Sequence, residues 1–120
     1  MTTWLVDGTN VMGTRPDGWW RDRPAAQHRL ADEVAAALAE PTTVVFDGRD
    51  PGGDWPPGLE VRFAERPGPD AADDLIVRLL DERADEPPPT VVTSDRALAA
   101  RCRDRGAEVV GAGTFLARLG

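Results

Sequence analysis

Three short apolar runs each end in an aspartate. Trp4-Leu5-Val6 runs into Asp7, Thr43-Val44-Val45-Phe46 into Asp47, and Thr90-Val91-Val92-Thr93-Ser94 into Asp95. Runs of this length and β-branched content read as buried strands of a parallel sheet. In open α/β sheets, ligands bind outside the carboxyl ends of the strands, so three carboxylates at three such ends would converge. Converging carboxylates repel one another, and a cation relieves that repulsion. Carboxylate oxygens are hard ligands that favour Mg²⁺ or Mn²⁺. The chemistry expected is metal-assisted attack on a phosphate ester.

Other polar residues gather around the same strand ends. Gly8 would let the chain turn sharply beside Asp7, and Asn10 can aim its amide at Asp7 or at a bound phosphate. The competing reading is an Asx-turn that closes the strand. Asp47-Gly48 repeats the device after the second run. Asp70, Asp73 and Asp74 stand in the first turn of a helix, where acids suit the helix dipole. Asp70 could be its N-cap and Asp74 could pair with Arg78 at i+4. Asp73 and Asp74 point about 100° apart on a helix, so one of them looks inward. Ser94 or Asp95 can cap the helix that follows the last run. Trp19 and Trp20, with Arg15, Arg21 and Arg23 beside them, could stack on unpaired bases and hold phosphates, although one Trp is expected to pack on the core. Arg49, Arg66 and Arg96 each follow a strand end or flank an acid, where they would hold a phosphate or balance local charge.

Composition removes several other chemistries. All 14 basic residues are Arg. Without Lys, a P-loop and a lysine Schiff base are both excluded. One His and one Cys are too few for a His/Cys zinc site. His28 falls within a predicted helix, away from any strand end, which disfavours a Ser-His-Asp triad. The single Cys102 excludes an intramolecular disulfide and fits a reducing cytoplasm; it is expected to be buried packing. No signal peptide and no apolar run of membrane-spanning length are read, so a cytoplasmic protein is expected. The net charge of −7 argues against broad, salt-driven nucleic-acid binding but not against a local Arg-rich groove.

The elements that must position these residues follow in order. A strand at 4–7 leads into a loop at 8–23. Pro24 opens a helix at about 25–39, where Leu30, Val34 and Leu38 recur every four residues. Strands follow at 42–46 and 59–63, the second alternating in polarity as an edge strand does. A helix at 71–84 is ended by three prolines. A strand at 90–93, a helix at 96–105, a strand at 108–110 and a final helical turn capped by Thr114 complete the chain. The whole of 1–120 reads as one domain without repeats or a disordered tail. Its fold class is α/β, a three-layer, mainly parallel sheet of about five strands flanked by helices.

With these residues assembled, the chain resembles the NYN branch of the PIN-like nuclease superfamily, most of all its YacP-like group. Four stretches carry the resemblance, in order: Leu5-Val6-Asp7-Gly8-Thr9-Asn10-Val11-Met12-Gly13, Val44-Val45-Phe46-Asp47-Gly48, Ala72-Asp73-Asp74-Leu75-Ile76 and Val92-Thr93-Ser94-Asp95-Arg96. The resemblance implies a Rossmann-like PIN fold and Mg²⁺- or Mn²⁺-dependent ribonuclease activity. It implies that Asp7, Asp73 and Asp95 hold metal, that Asp47 is a further acid of the site, and that Asn10 and Ser94 assist. Two positions depart from the pattern: Thr9 replaces a frequent aromatic residue, and Val77 a frequent acid. The sequence also closes soon after the last short helix, where some relatives carry a longer basic extension.

The expectation is therefore a metal-dependent endoribonuclease. Asp7, Asn10, Asp47, Asp73, Ser94 and Asp95 would do the chemistry, with Asp7, Asp73, Asp95, Asp47 and Asp74 as candidate metal ligands. Arg15, Trp19, Trp20, Arg49 and Arg96 would bind substrate. The partner expected is RNA, single-stranded or in a ribonucleoprotein, and no membrane. The alternatives are a non-catalytic RNA- or protein-binding module of the same fold and, last, a small phosphatase.

Overall fold

A computed structural model describes residues 3–120. Five strands, β1 (Trp4–Asp7), β2 (Thr42–Asp47), β3 (Leu59–Ala64), β4 (Thr90–Val92) and β5 (Val109–Val110), form one sheet in the order β3-β2-β1-β4-β5. Every neighbouring pair is parallel. All five carboxyl ends therefore open on one edge. The expected α/β class holds, and the runs ending in Asp7, Asp47 and Asp95 belong to the three central strands. β1 lies between β2 and β4, so the chain switches direction across the sheet on either side of Asp7. β3 is an edge strand, as its alternation required.

Helices cover both faces, as an all-parallel sheet demands. Leu5, Val45 and Val91 point to one side, where α3 (Ala71–Glu82) and α4 (Arg96–Arg103) bring Leu75, Ile76, Leu79, Leu98 and Cys102. Val6, Val44, Phe46 and Val92 point to the other, against Leu30 and Val34 of α2 (Arg23–Ala37) and Phe115 of α5 (Ala112–Leu119). α2 starts as expected with Pro24 in its first turn, and Asp22 accepts from the Ala25 N–H at 3.2 Å as N-cap. Val77 is buried in the core, so this position contributes packing rather than a carboxylate.

The stretch 8–13, expected as loop, is instead a short helix, α1 (Gly8–Gly13). Two glycines and two β-branched residues gave it poor helix propensity. Packing overrides that propensity, because the helix delivers Val11 and Met12 into the core. Gly8 is needed for space rather than for a turn. It has no positive φ, but a Cβ placed there would lie 2.6 Å from Phe46 and 2.8 Å from Val44. Gly48, after Asp47, does take the left-handed conformation, at φ 81°. α5 begins at Ala112, so Thr114 lies inside it and caps nothing.

Candidate active site

Asp7 ends β1 at the centre of the carboxyl edge, with 3% of its surface exposed. Its Oδ2 accepts a hydrogen bond from Thr93 Oγ1 at 2.9 Å, across the gap between β1 and β4. The same hydroxyl accepts from the Asp95 N–H at 3.1 Å. Thr93 is thus a hinge between two of the acids. The Thr93-Ser94-Asp95 triplet reads as a cap at Ser94 or Asp95, and nothing in its spacing marks Thr93 as the residue that touches Asp7.

Burial pushes the Asp7 carboxyl up to about 6. The Thr93 hydrogen bond opposes that shift, while the nearby negative charges of Asp73 and Asp95 add to it. The Asn10 backbone N–H also favours the charged form, although it does not close a cap hydrogen bond onto Asp7. Asp73, in the first turn of α3, is likewise raised by partial burial and then by Asp95 and Asp70, against the lowering field of Arg101. Asp95 caps α4, its Oδ1 accepting from the Leu98 N–H at 3.0 Å.

Asp7, Asp73 and Asp95 therefore sense one another's charge, and none of the three has an ion-pair partner among the described residues. Asp47 and Asp74 stand apart in this respect. Asp47 Oδ1 is 2.6 Å from Arg23 and also accepts from Thr9 Oγ1 at 3.3 Å. Asp74 pairs with Arg66 at 2.5 Å and Arg101 at 3.1 Å, which hold its carboxyl below the usual range. The expected Asp74–Arg78 pair does not form, because Arg66 from the loop after β3 and Arg101 from α4 take its place. Asp70 occupies the N-cap position of α3 without a side-chain cap.

Asn10 and Ser94 occupy positions other than those expected. Asn10 does not turn its amide to Asp7; its Oδ1 accepts from the Ser94 N–H at 2.8 Å. Ser94 Oγ in turn accepts from the Ala112 N–H at 2.8 Å, at the start of α5. The pair ties the β1–α1 and β4–α4 turns and the entry of α5 together.

The Arg and Trp candidates divide in the same way. Arg15 is engaged by both oxygens of Glu33, at 2.9 and 2.5 Å. Trp19 packs against the core, while Trp20 is 58% exposed with the Arg21 guanidinium 5.8 Å from its ring. The Arg23–Asp47 bond brings this segment to the carboxyl edge. Arg49 and Arg96 are exposed and, among the described residues, have no side-chain partner. His28 stacks on Trp55 at 3.9 Å and meets the Gly52 carbonyl at 2.9 Å, so it serves the loop after β2. Cys102 is buried, and desolvation raises its thiol to about 11.

Among the described residues, no three His, Cys, Asp or Glu side chains form a ready-made metal-holding group. Carboxylate oxygens are nonetheless the donor type that Mg²⁺ and Mn²⁺ take. Mg²⁺ keeps several waters and is usually held by one or two carboxylates together with substrate phosphates. Buried Asp7, with Asp73 and Asp95 close enough to raise it further, presents hard carboxylate oxygens without an ion-pair partner among the described residues.

Comparison with known proteins agrees on the fold. Two crystal structures of Rae1 (YacP) from Bacillus subtilis, one of a single-site mutant, superpose with TM-scores of 0.79 and 0.78 at 24% identity. Each covers 99% of this chain, which spans 74% and 75% of theirs. A UPF0178 protein from Rhodopseudomonas palustris (strain BisB18) is 56% identical over 54 residues, 45% of this chain and 31% of that protein. The chain thus matches about a third of the length of that curated relative. No family model matches the sequence.

Proposed function

We propose that this chain is a metal-dependent endoribonuclease that hydrolyses RNA phosphodiester bonds at the carboxyl edge of the sheet. One observation carries the reading: Asp7 is buried at the strand end, its charge disfavoured first by that burial and then by Asp73 and Asp95, with no arginine bound to any of the three. An arrangement that costs stability and has no ion-pair partner among the described residues is what a cation-dependent site requires. The likeness in fold to Rae1 (YacP) and the four motifs of the PIN-like resemblance support the same reading.

Asp7, Asp73 and Asp95 would hold the ion, one or two of them directly and the rest through its waters. Once bound, Mg²⁺ or Mn²⁺ supplies charge neutralisation for the phosphodiester and a water of lowered pKa. Thr93 orients Asp7 by donating to Oδ2. Asn10 and Ser94 act at one remove, by fixing the relative positions of the two turns that carry Asp7 and Asp95. Asp47 and Asp74, each held by arginine, tune the rim of the site rather than ligate. Trp20 offers an exposed face for an unpaired base. Arg49 and Arg96 offer free guanidiniums for phosphate.

The test is cleavage of mixed single-stranded and structured RNA by the purified protein with Mn²⁺ or with EDTA, beside Asp7→Asn. Cutting should require Mn²⁺ and disappear in the variant. A folded Asp7→Asn protein that still cuts would sink the mechanism. A non-catalytic binding module is the second reading, favoured by the absence of a ready-made three-ligand group among the described residues. Calorimetry separates the two, since a module that has lost its chemistry takes up no Mn²⁺ at millimolar concentration.

A further inference from the structure

The carboxyl edge does not end at the three acids. Beyond Asp95 a cleft of about 440 Å³ opens between α4 and the strand and turn at Val109 and Gly111. That volume lies within the range of ordinary ligand sites, about 300–1,000 Å³. Arg96, Ala99 and Arg103 line it from α4 at spacings of three and four residues, which places them on one helix face. Ala99 is small enough to leave room between the two arginines.

The pairing of the arginines sets the cleft apart. Seven of the chain's 14 arginines form ion pairs among the described residues. Arg96 and Arg103 are not among them, and neither makes a side-chain hydrogen bond to a described residue. The one carboxylate on the wall is Asp95, whose Oδ1 already accepts from Leu98. A second arginine-lined cleft of about 200 Å³ lies at Arg62, Arg66 and Arg78, but there Asp74 neutralises Arg66 and Glu65 shares the wall. Two free guanidiniums in a chain of net charge −7 are suited to an anion from outside. A guanidinium fork matches phosphate oxygens in a bidentate way.

We propose that the α4–β5 cleft binds a backbone phosphate of single-stranded RNA next to the phosphodiester held at the acid centre. This rests on the nuclease reading above and extends it. Asp95 belongs to both the cleft and the acid centre, so a ligand in one is contiguous with a ligand in the other. The cleft wall carries no aromatic ring, so nothing in it stacks on a base. Recognition there falls on the backbone and is tolerant of sequence.

Fluorescence anisotropy tests this with a labelled single-stranded RNA of about eight nucleotides, within the usual site size for such strands. The protein is the Asp7→Asn chain with Mg²⁺, which keeps the strand intact. Arg103→Ala should weaken binding about tenfold, the worth of one charge-assisted contact. It should also flatten the dependence of log Kd on log salt by about 0.7 between about 50 and 200 mM. Arg103→Lys should recover part of both. Arg118→Ala is the control for net charge, since Arg118 stacks 5.2 Å from the Trp4 ring at the opposite end of β1. If the parent binds and Arg103→Ala matches Arg118→Ala, the cleft proposal is overturned and the nuclease reading stands. If wild type neither binds nor cuts RNA, both are overturned.

Discussion

Asp7 carries a cost at neutral pH. Its folded carboxyl titrates near 6, well above the ordinary value of about 3.9 in an unfolded chain. Between those values the folded state holds a proton that the unfolded state has released. Stability from this group is therefore full below about pH 4 and is lost as pH rises through 6. The loss above pH 7 is about 3 kcal/mol. Asp7→Asn should accordingly unfold at a higher temperature than wild type at pH 7.5, and the gain should vanish near pH 4. Thermal melts of both proteins across pH 4–8 check this; a difference that does not change with pH would refute the assignment. The neighbouring acids of α3 offer a second contrast. Asp73→Asn should lower RNA cleavage by at least about a hundredfold, the upper end of what a group that shapes a metal site commands. Asp74→Asn should leave cleavage within a few-fold, because Asp74 is only half-buried and already held by Arg66 and Arg101. Single-turnover cleavage by the two variants decides it.

At the scale of elements, the site is held by contacts between turns rather than within them. Asn10 on α1 accepts from Ser94 on the β4–α4 turn, and Ser94 accepts from Ala112 at the head of α5. Three elements distant in sequence meet through two side chains. Asn10→Ala removes one tie, at about 1 kcal/mol of stability. Cleavage should fall about 10- to 100-fold with the fold retained, and circular dichroism with a kinetic assay at saturating Mn²⁺ separates the two effects. α1 itself depends on Gly8. Phe46 and Val44 leave no room for a side chain there, so the turn from Asp7 runs straight into a helix packed on β2.

For the whole molecule, repulsion at the carboxyl edge should make stability cation-dependent. A divalent ion that binds only the folded state stabilises it by about 2.7 kcal/mol at a hundredfold excess over Kd. In a domain of this size that corresponds to several degrees in Tm. Mn²⁺ should raise the Tm of wild type by that amount and of Asp7→Asn by far less, as read by calorimetric melting. Equal shifts in the two proteins would place the ion elsewhere. Asp47 and Asp74, the other acids of this edge, do not share this behaviour, because each has an arginine partner.

The periodicity of short apolar runs determined the sheet, because burial on both faces leaves β-branched stretches that polar loops interrupt. The positions of Asp7, Asp47 and Asp95 followed, since a residue that ends a parallel strand must emerge on the carboxyl edge. Which acids remain unpaired was decided only in three dimensions. Asp74 and Asp47 look equivalent to Asp73 and Asp95 as letters, and they differ because Arg23, Arg66 and Arg101 reach them from other elements. The helix at 8–13 was likewise hidden, because its propensity is poor and its stability comes from Val11 and Met12 packing at long range. Thr93 became a contact of Asp7 only through the pairing of β1 with β4, which brings together residues 86 apart in sequence. Local pattern records which face of an element is buried; the partners of a charge depend on chain topology, which that pattern does not contain.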